Sequence, residues 1–138
     1  MEVDNYCYCC GKANPHGMQL EIERKESGEA STCYTPPDYV QGYQGVVHGG
    51  ILSTLLDEIM AHAILADGPV SAATARMEVT FRKPARTGEP LKVLGKVEEA
   101  AGRRIRTSAR ILNSEDKIVA EATALFIRIK PPEESRST

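Results

Sequence analysis

Apolar residues along this chain follow two rhythms. Met18, Leu20 and Ile22 alternate with Gln19, Glu21 and Glu23, a period of two that predicts a half-buried strand. Ser27-Gly28 turns the chain, and residues 30–35 read as the returning strand. Residues 36–47 are rich in proline, glycine and tyrosine and predict an ordered loop. The rhythm then changes. Between residues 49 and 66, Leu52, Leu55, Leu56, Ile59, Met60 and Ala63 recur at helical spacing on one stripe, and Asp67-Gly68-Pro69 stops the helix. Four strands follow. Ala75, Met77, Val79 and Phe81 alternate with Arg76, Glu78, Thr80 and Arg82. Leu91, Val93 and Val97 lead the next, with a bulge expected at Gly95. Beyond the Ala101-Gly102 turn, Ile105, Thr107, Ala109 and Ile111 alternate with Arg104, Arg106, Ser108 and Arg110. Residues 118–130 are apolar on both faces, as a central strand requires. Two strands, one long helix and four strands leave too few crossovers for a parallel sheet. The expectation is an α+β fold, one antiparallel sheet of about six strands wrapped around a central long helix.

A length of 138 residues suits one domain. We expect it to span residues 1–130, with 1–17 as an amino-terminal arm and 131–138 (PPEESRST) as a disordered tail. A net charge of −2, no Trp and only two Phe argue against a nucleic-acid partner. The acidic start MEVDNYCYCC offers no apolar leader. Residues 49–66 carry Asp57, Glu58 and His62, so they read as a buried helix and not a membrane span. A cytoplasmic protein with no membrane partner is expected. Three of the four cysteines crowd into Cys7, Cys9 and Cys10, a poor disulfide framework. Cys7-x-x-Cys10 has the spacing of half a zinc site, to which Cys9 or His16 would add ligands. Without a second pair the preferred reading is reduced thiols and no metal.

The chemistry concentrates in residues 45–58. The helix opens on Gly49-Gly50 with no Ser, Thr, Asp or Asn at its N-cap. The first amides of a helix lack internal partners and can donate to an oxygen that becomes negative in a transition state. A tight turn that merely needs glycine explains the pair as well. Asp57 lies two turns in, roughly 130° from the centre of the apolar stripe, where it is a reactive group or a solvated flank residue. Glu58, on the other flank, can pair with His62 one turn on.

His48-Gly49-Gly50 followed by Asp57 seven residues after the second glycine resembles the PaaI-type acyl-CoA thioesterases of the hotdog-fold superfamily. The resemblance extends to Asn14-Pro15-x-Gly17-Met18, to DYVQGYQGVV at 38–47, to Thr74-Ala75 and to Phe81-Arg82-Lys83-Pro84. It implies an acyl-CoA thioesterase with Asp57 as general base or nucleophile. The amide of Gly50, with that of Gly49, would polarise the thioester carbonyl. His48 would fix that loop and the substrate, and Thr74 would position the attacking water. A strand-start hydroxyl accounts for Thr74 equally well. Similar enzymes often carry Asn where this chain has Gly42; Gln41 and Gln44 are the nearest substitutes.

Arg82, Lys83, Arg86, Arg103 and Arg104 are candidates for the coenzyme A phosphates. Coenzyme A enters as part of the substrate, and no further cofactor is needed. Gly50 and Asp57 are roughly 10 Å apart along one helix, too far to serve one carbonyl. A homodimer with antiparallel helices is therefore expected, extendable to a dimer of dimers. The competing readings are a hotdog enoyl-CoA hydratase or dehydratase, a non-catalytic acyl-CoA-binding protein and a metal-binding amino-terminal module.

Overall fold

The computed structural model describes residues 5–129. The predicted tail at 131–138 lies outside the described residues. The strands are β1 (Glu23–Lys25), β2 (Glu29–Tyr34), β3 (Ala72–Phe81), β4 (Leu91–Ala101), β5 (Arg104–Leu112) and β6 (Ile118–Arg128), and the helix is α1 (Gly49–Asp67). All six strands join one sheet in the order β1-β2-β4-β5-β6-β3, and every pairing is antiparallel. The expected α+β arrangement of one sheet around one helix is therefore observed.

The apolar stripe of α1 is the centre of the core. Leu55, Leu56, Ile59, Met60 and Ala63 are at most 1% exposed. Opposite them stand Val93 of β4, Ile105, Thr107 and Ile111 of β5, and Phe126 of β6, all buried. Ala120, Ala122 and Ala124 line the inner face of β6. The helix itself packs most extensively on β4 and β2. The Thr107 hydroxyl, buried among apolar neighbours, donates to Met60 Sδ at 3.1 Å and lies 3.4 Å from the Ala124 carbonyl. Its polar group is thus satisfied where leaving it unpaired would be costly.

Two expectations shift. Residues 18–22 form no strand: Gln19 takes a left-handed φ of 52°, and the ladder begins only at Glu23. The bulge in β4 falls between Val97 and Glu99 and not at Gly95. Gly95 has another reason. A Cβ there would stand 2.9 Å from both the carbonyl oxygen and Cγ2 of Ile59, so the helix backbone rests directly on the bare strand.

In β3 the register shifts between Thr74 and Arg76, making Ala75 the extra residue of a bulge. Thr74 opposes Phe126, Met77 opposes Ala124, Val79 opposes Ala122 and Phe81 opposes Ala120. All four therefore face the helix side, although Thr74 and Met77 differ by an odd number. Strict alternation would have sent Thr74 to the outer face with Glu78 and Thr80.

A Gly95→Ala substitution should destabilise the protein by about 1–3 kcal/mol through overpacking against Ile59. Urea denaturation would register a lower midpoint at unchanged slope.

Candidate functional site

Asp57 projects from the flank of α1 and is half-buried. The Thr74 hydroxyl donates to its Oδ1 at 2.7 Å. The β3 bulge makes this contact possible, because it turns Thr74 inward. The expected pair is thus brought together through a direct hydrogen bond between the two side chains.

At the head of the same helix the picture changes. His48 is the N-cap, in extended conformation, and its Nδ1 accepts the Gly50 N–H at 2.9 Å. The helix is therefore capped, contrary to the expectation of a bare amino terminus. An imidazole nitrogen does what a Ser or Asp oxygen does elsewhere. The acceptor role fixes the hydrogen of a neutral His48 on Nε2. The His48 carbonyl receives Ile51 N–H at 2.9 Å and Leu52 N–H at 3.3 Å. Among the described residues the Gly49 N–H makes no hydrogen bond, and the Phe81 ring lies 3.5 Å from where a Cβ on Gly49 would be.

The preceding loop is braced to hold this geometry. His48 N–H donates to Val40, Gly42 N–H to Val46 and Val47 N–H to Ala85, all to carbonyls at 2.8–2.9 Å. Gly42 packs on His48, with Cα of the histidine 3.4 Å from a Cβ built there. Gln41 turns its Oε1 to the Gly45 N–H at 2.9 Å. Its side chain thus closes the loop, and Gln44 is exposed beside it.

The cations divide into two groups. Arg82 forms an ion pair with Glu121 across the sheet. The backbone amides of Arg82 and Lys83 both donate to Val119, and Arg86 bridges to Val46. These three stand at the helix-head end of the sheet. Arg103 and Arg104 sit at the β4–β5 turn, where Arg104 opposes Ile127 and Ala72 opposes Arg128. The length of β3 separates the groups by roughly 30 Å at about 3.3 Å per residue. One chain does not bring them together.

The other flank of α1 holds a second cluster. Glu58 Oε2 meets His62 Nε2 at 3.0 Å, so the expected pair is present. Burial opposes the charged form of Glu58, but hydrogen bonds from His62 and Cys10, and the nearby imidazole, hold its carboxyl below the usual range. The Cys7 thiol points at the same Oε2 from 3.9 Å. Burial, with Glu58 close by, pushes the thiols of Cys9 and Cys10 well up. His16, the other expected partner of these cysteines, is exposed. Glu58 takes its place, a partner with no motif spacing to give it away.

A cleft of about 810 Å³ runs between the amino-terminal segment and β2, past Tyr8, Met18 and Tyr34. Another of about 580 Å³ lies on the outer face of the sheet by Leu94 and Ala109. Neither is lined by His48, Asp57 or Thr74. In the single chain those residues border open surface along β3.

The Thioesterase superfamily matches residues 44–120, from the loop before α1 to the start of β6. Acyl-coenzyme A thioesterase THEM4 of Xenopus laevis is 35% identical over 100 residues, covering 71% of this chain and 44% of that protein. The THEM4 of Mus musculus is 32% identical over 94 residues, covering 67% of this chain and 40% of that one. The chain thus spans less than half the length of these curated relatives. The structure of the E. coli PaaI protein from the phenylacetic acid degradation operon superposes with a TM-score of 0.78 at 24% identity, covering 88% of this chain and 84% of that one. A Streptococcus mutans protein, smu.793, solved bound to acetyl CoA, gives 0.75 at 22%, covering 80% and 88%. These two likenesses establish the hotdog fold. With the family match running over more than half of its length, this chain belongs to the thioesterase superfamily.

Proposed function

We propose that the protein hydrolyses acyl-coenzyme A thioesters at a site completed by two copies of the chain. The observation that carries this reading is the Asp57 carboxylate, held by the Thr74 hydroxyl at 2.7 Å beside an uncovered edge strand. The names of the THEM4 relatives and the acetyl CoA bound to the Streptococcus mutans protein support the substrate class.

The edge strand supports the dimer. Met77 and Val79 face the helix side yet remain only half-buried, and Phe81 is 54% exposed. Tyr39 and Tyr43, in the loop before α1, are exposed too. Apolar surface of this kind on an open edge invites a second sheet. Antiparallel pairing of β3 with its copy sets the head of one helix beside the middle of the other. It also brings Arg82, Lys83 and Arg86 of one chain toward Arg103 and Arg104 of the second, forming one cationic rim for the coenzyme A phosphates.

In that site the thioester carbonyl lies at the helix head, where the amides of Gly49 and Gly50 stabilise the developing oxyanion. The Gly50 N–H becomes available when His48 Nδ1 releases it. Asp57 of the other chain acts in one of two ways. As a base it takes a proton from water while the water oxygen attacks the carbonyl carbon; the C–S bond then breaks and the thiolate takes up the proton. As a nucleophile its oxygen displaces the thiolate, and water hydrolyses the resulting mixed anhydride. Thr74 orients the carboxylate in both. No metal or further cofactor takes part. The four unpaired cysteines suit a reducing, cytoplasmic compartment.

Asp57→Asn should reduce thiol release from acyl-CoA by about 100-fold or more and leave the fold and the oligomer unchanged. Full activity in that variant, with acyl groups of several lengths and aryl acyl groups tested, would reject the assignment. Thr74→Val keeps the shape of the side chain and removes the donor. It should lower kcat with little change in KM, whereas a role in substrate binding would raise KM. Light scattering should give at least twice the chain mass; a monomer that hydrolyses acyl-CoA at full rate would sink the shared site.

A further inference from the structure

The amino-terminal segment is built to aim thiols at the helix. Gly11 N–H donates to the Cys7 carbonyl at 2.8 Å, and a Cβ at Gly11 would stand 2.3 Å from Cys7 N and 2.5 Å from Asn5 O. Only glycine closes this turn. Met18 N–H donates to Tyr8 and Leu20 N–H to Cys9, both at 2.8 Å. The buried Asn14 side chain donates to the Tyr6 carbonyl at 3.2 Å and accepts from His16 N–H at 2.9 Å. The result is a rigid Cys-x-x-Cys-Gly turn pressed onto the flank of α1 away from Asp57.

The ligand atoms of Cys7, Cys10 and Glu58 lie within 4.8 Å of one another, and all three residues are half-buried. In a tetrahedral zinc site, bond lengths of about 2.3 Å to sulfur and about 2.0 Å to oxygen set the S···S separation near ~3.8 Å and the S···O separation near ~3.5 Å. Cys7 Sγ is already 3.9 Å from Glu58 Oε2. A cation would need to draw these atoms together by at most about 1.3 Å.

The outer contacts are in place as well. Arg24 directs Nε at 3.1 Å and Nη2 at 3.0 Å to His62 Nδ1. A guanidinium has only donors, so Nδ1 accepts and Nε2 carries the hydrogen. His62 therefore donates to Glu58 and orients it, as groups behind metal-binding carboxylates do. Arg24 also supplies positive charge next to a set of ligands that would carry three negative charges when bound.

We propose that Cys7, Cys10 and Glu58 bind one zinc ion that clamps the amino-terminal turn to α1, with water in the fourth position. Two sulfurs in a Cys-x-x-Cys turn favour a thiophilic cation over calcium or magnesium, which take oxygen ligands. His62 and Arg24 are positioning residues. The site is structural and independent of hydrolysis at Asp57, which leaves the helix about 100° away from Glu58.

The test uses the full chain, purified in reductant. Elemental analysis should find about one zinc per chain. After removal of zinc by chelator, cobalt(II) should develop an intense near-ultraviolet thiolate-to-metal band that saturates at one equivalent. Cys7→Ser and Cys10→Ser should abolish the band, and His62→Gln should keep it while weakening zinc affinity about 10–100-fold. Zinc should also raise the thermal midpoint of the stripped wild type. If the serine variants do not fold, the wild-type titration and Glu58→Gln decide. Folded, reduced wild type that retains no zinc and forms no thiolate–cobalt band would overturn the proposal. So would a band that persists in the Cys7→Ser/Cys10→Ser double variant.

Discussion

The burial of a single apolar helix face organises the whole molecule. Leu55, Leu56, Ile59 and Met60 have almost no contact with solvent, and there is no second α-helix among the described residues to cover them. The sheet must do so alone. It therefore bends around α1, with Gly95 of β4 letting the two backbones approach. Each fully buried large aliphatic side chain contributes roughly 1.5–3 kcal/mol, so this contact outweighs the exposed ion pairs, each of which contributes about 0–1 kcal/mol.

Fixing the helix fixes its two flanks. Asp57 and Glu58 are neighbours in sequence, but about 100° of helical rotation separates them. Asp57 turns toward β3 and takes the Thr74 hydroxyl. Glu58 turns toward the amino-terminal turn and takes His62 and the thiol of Cys7. One flank ends on an open sheet edge with half-buried apolar residues. The other is closed over by chain. That asymmetry separates a surface suited to substrate and a second copy from one suited to holding the fold together.

The helix head is also a shared resource. His48 caps it in the single chain through the amide that a developing oxyanion would use. In the proposed reaction capping and oxyanion binding draw on the same donor, so substrate would displace a contact that stabilises the free state. The loop around Val40, Gly42 and Val47 holds the histidine backbone in place through its own hydrogen bonds.

Asp57 stood out through the resemblance of its motif to a known family. The chain by itself determined the element order, the single helix with its buried stripe and the antiparallel sheet. Those follow from local periodicity, and periodicity is written along the sequence. The register of β3 was not legible, because a one-residue bulge at Ala75 reverses the side of every residue before it. Alternation extended back from Ala75 would put Thr74 on the outer face. The His48 cap was missed because an imidazole is an uncommon acceptor at that position. The partner of the Cys7-x-x-Cys10 turn was missed because Glu58 lies 51 residues from Cys7. Only packing of the amino-terminal turn against the helix flank decides which carboxylate the thiols meet, and no spacing rule reaches across that distance.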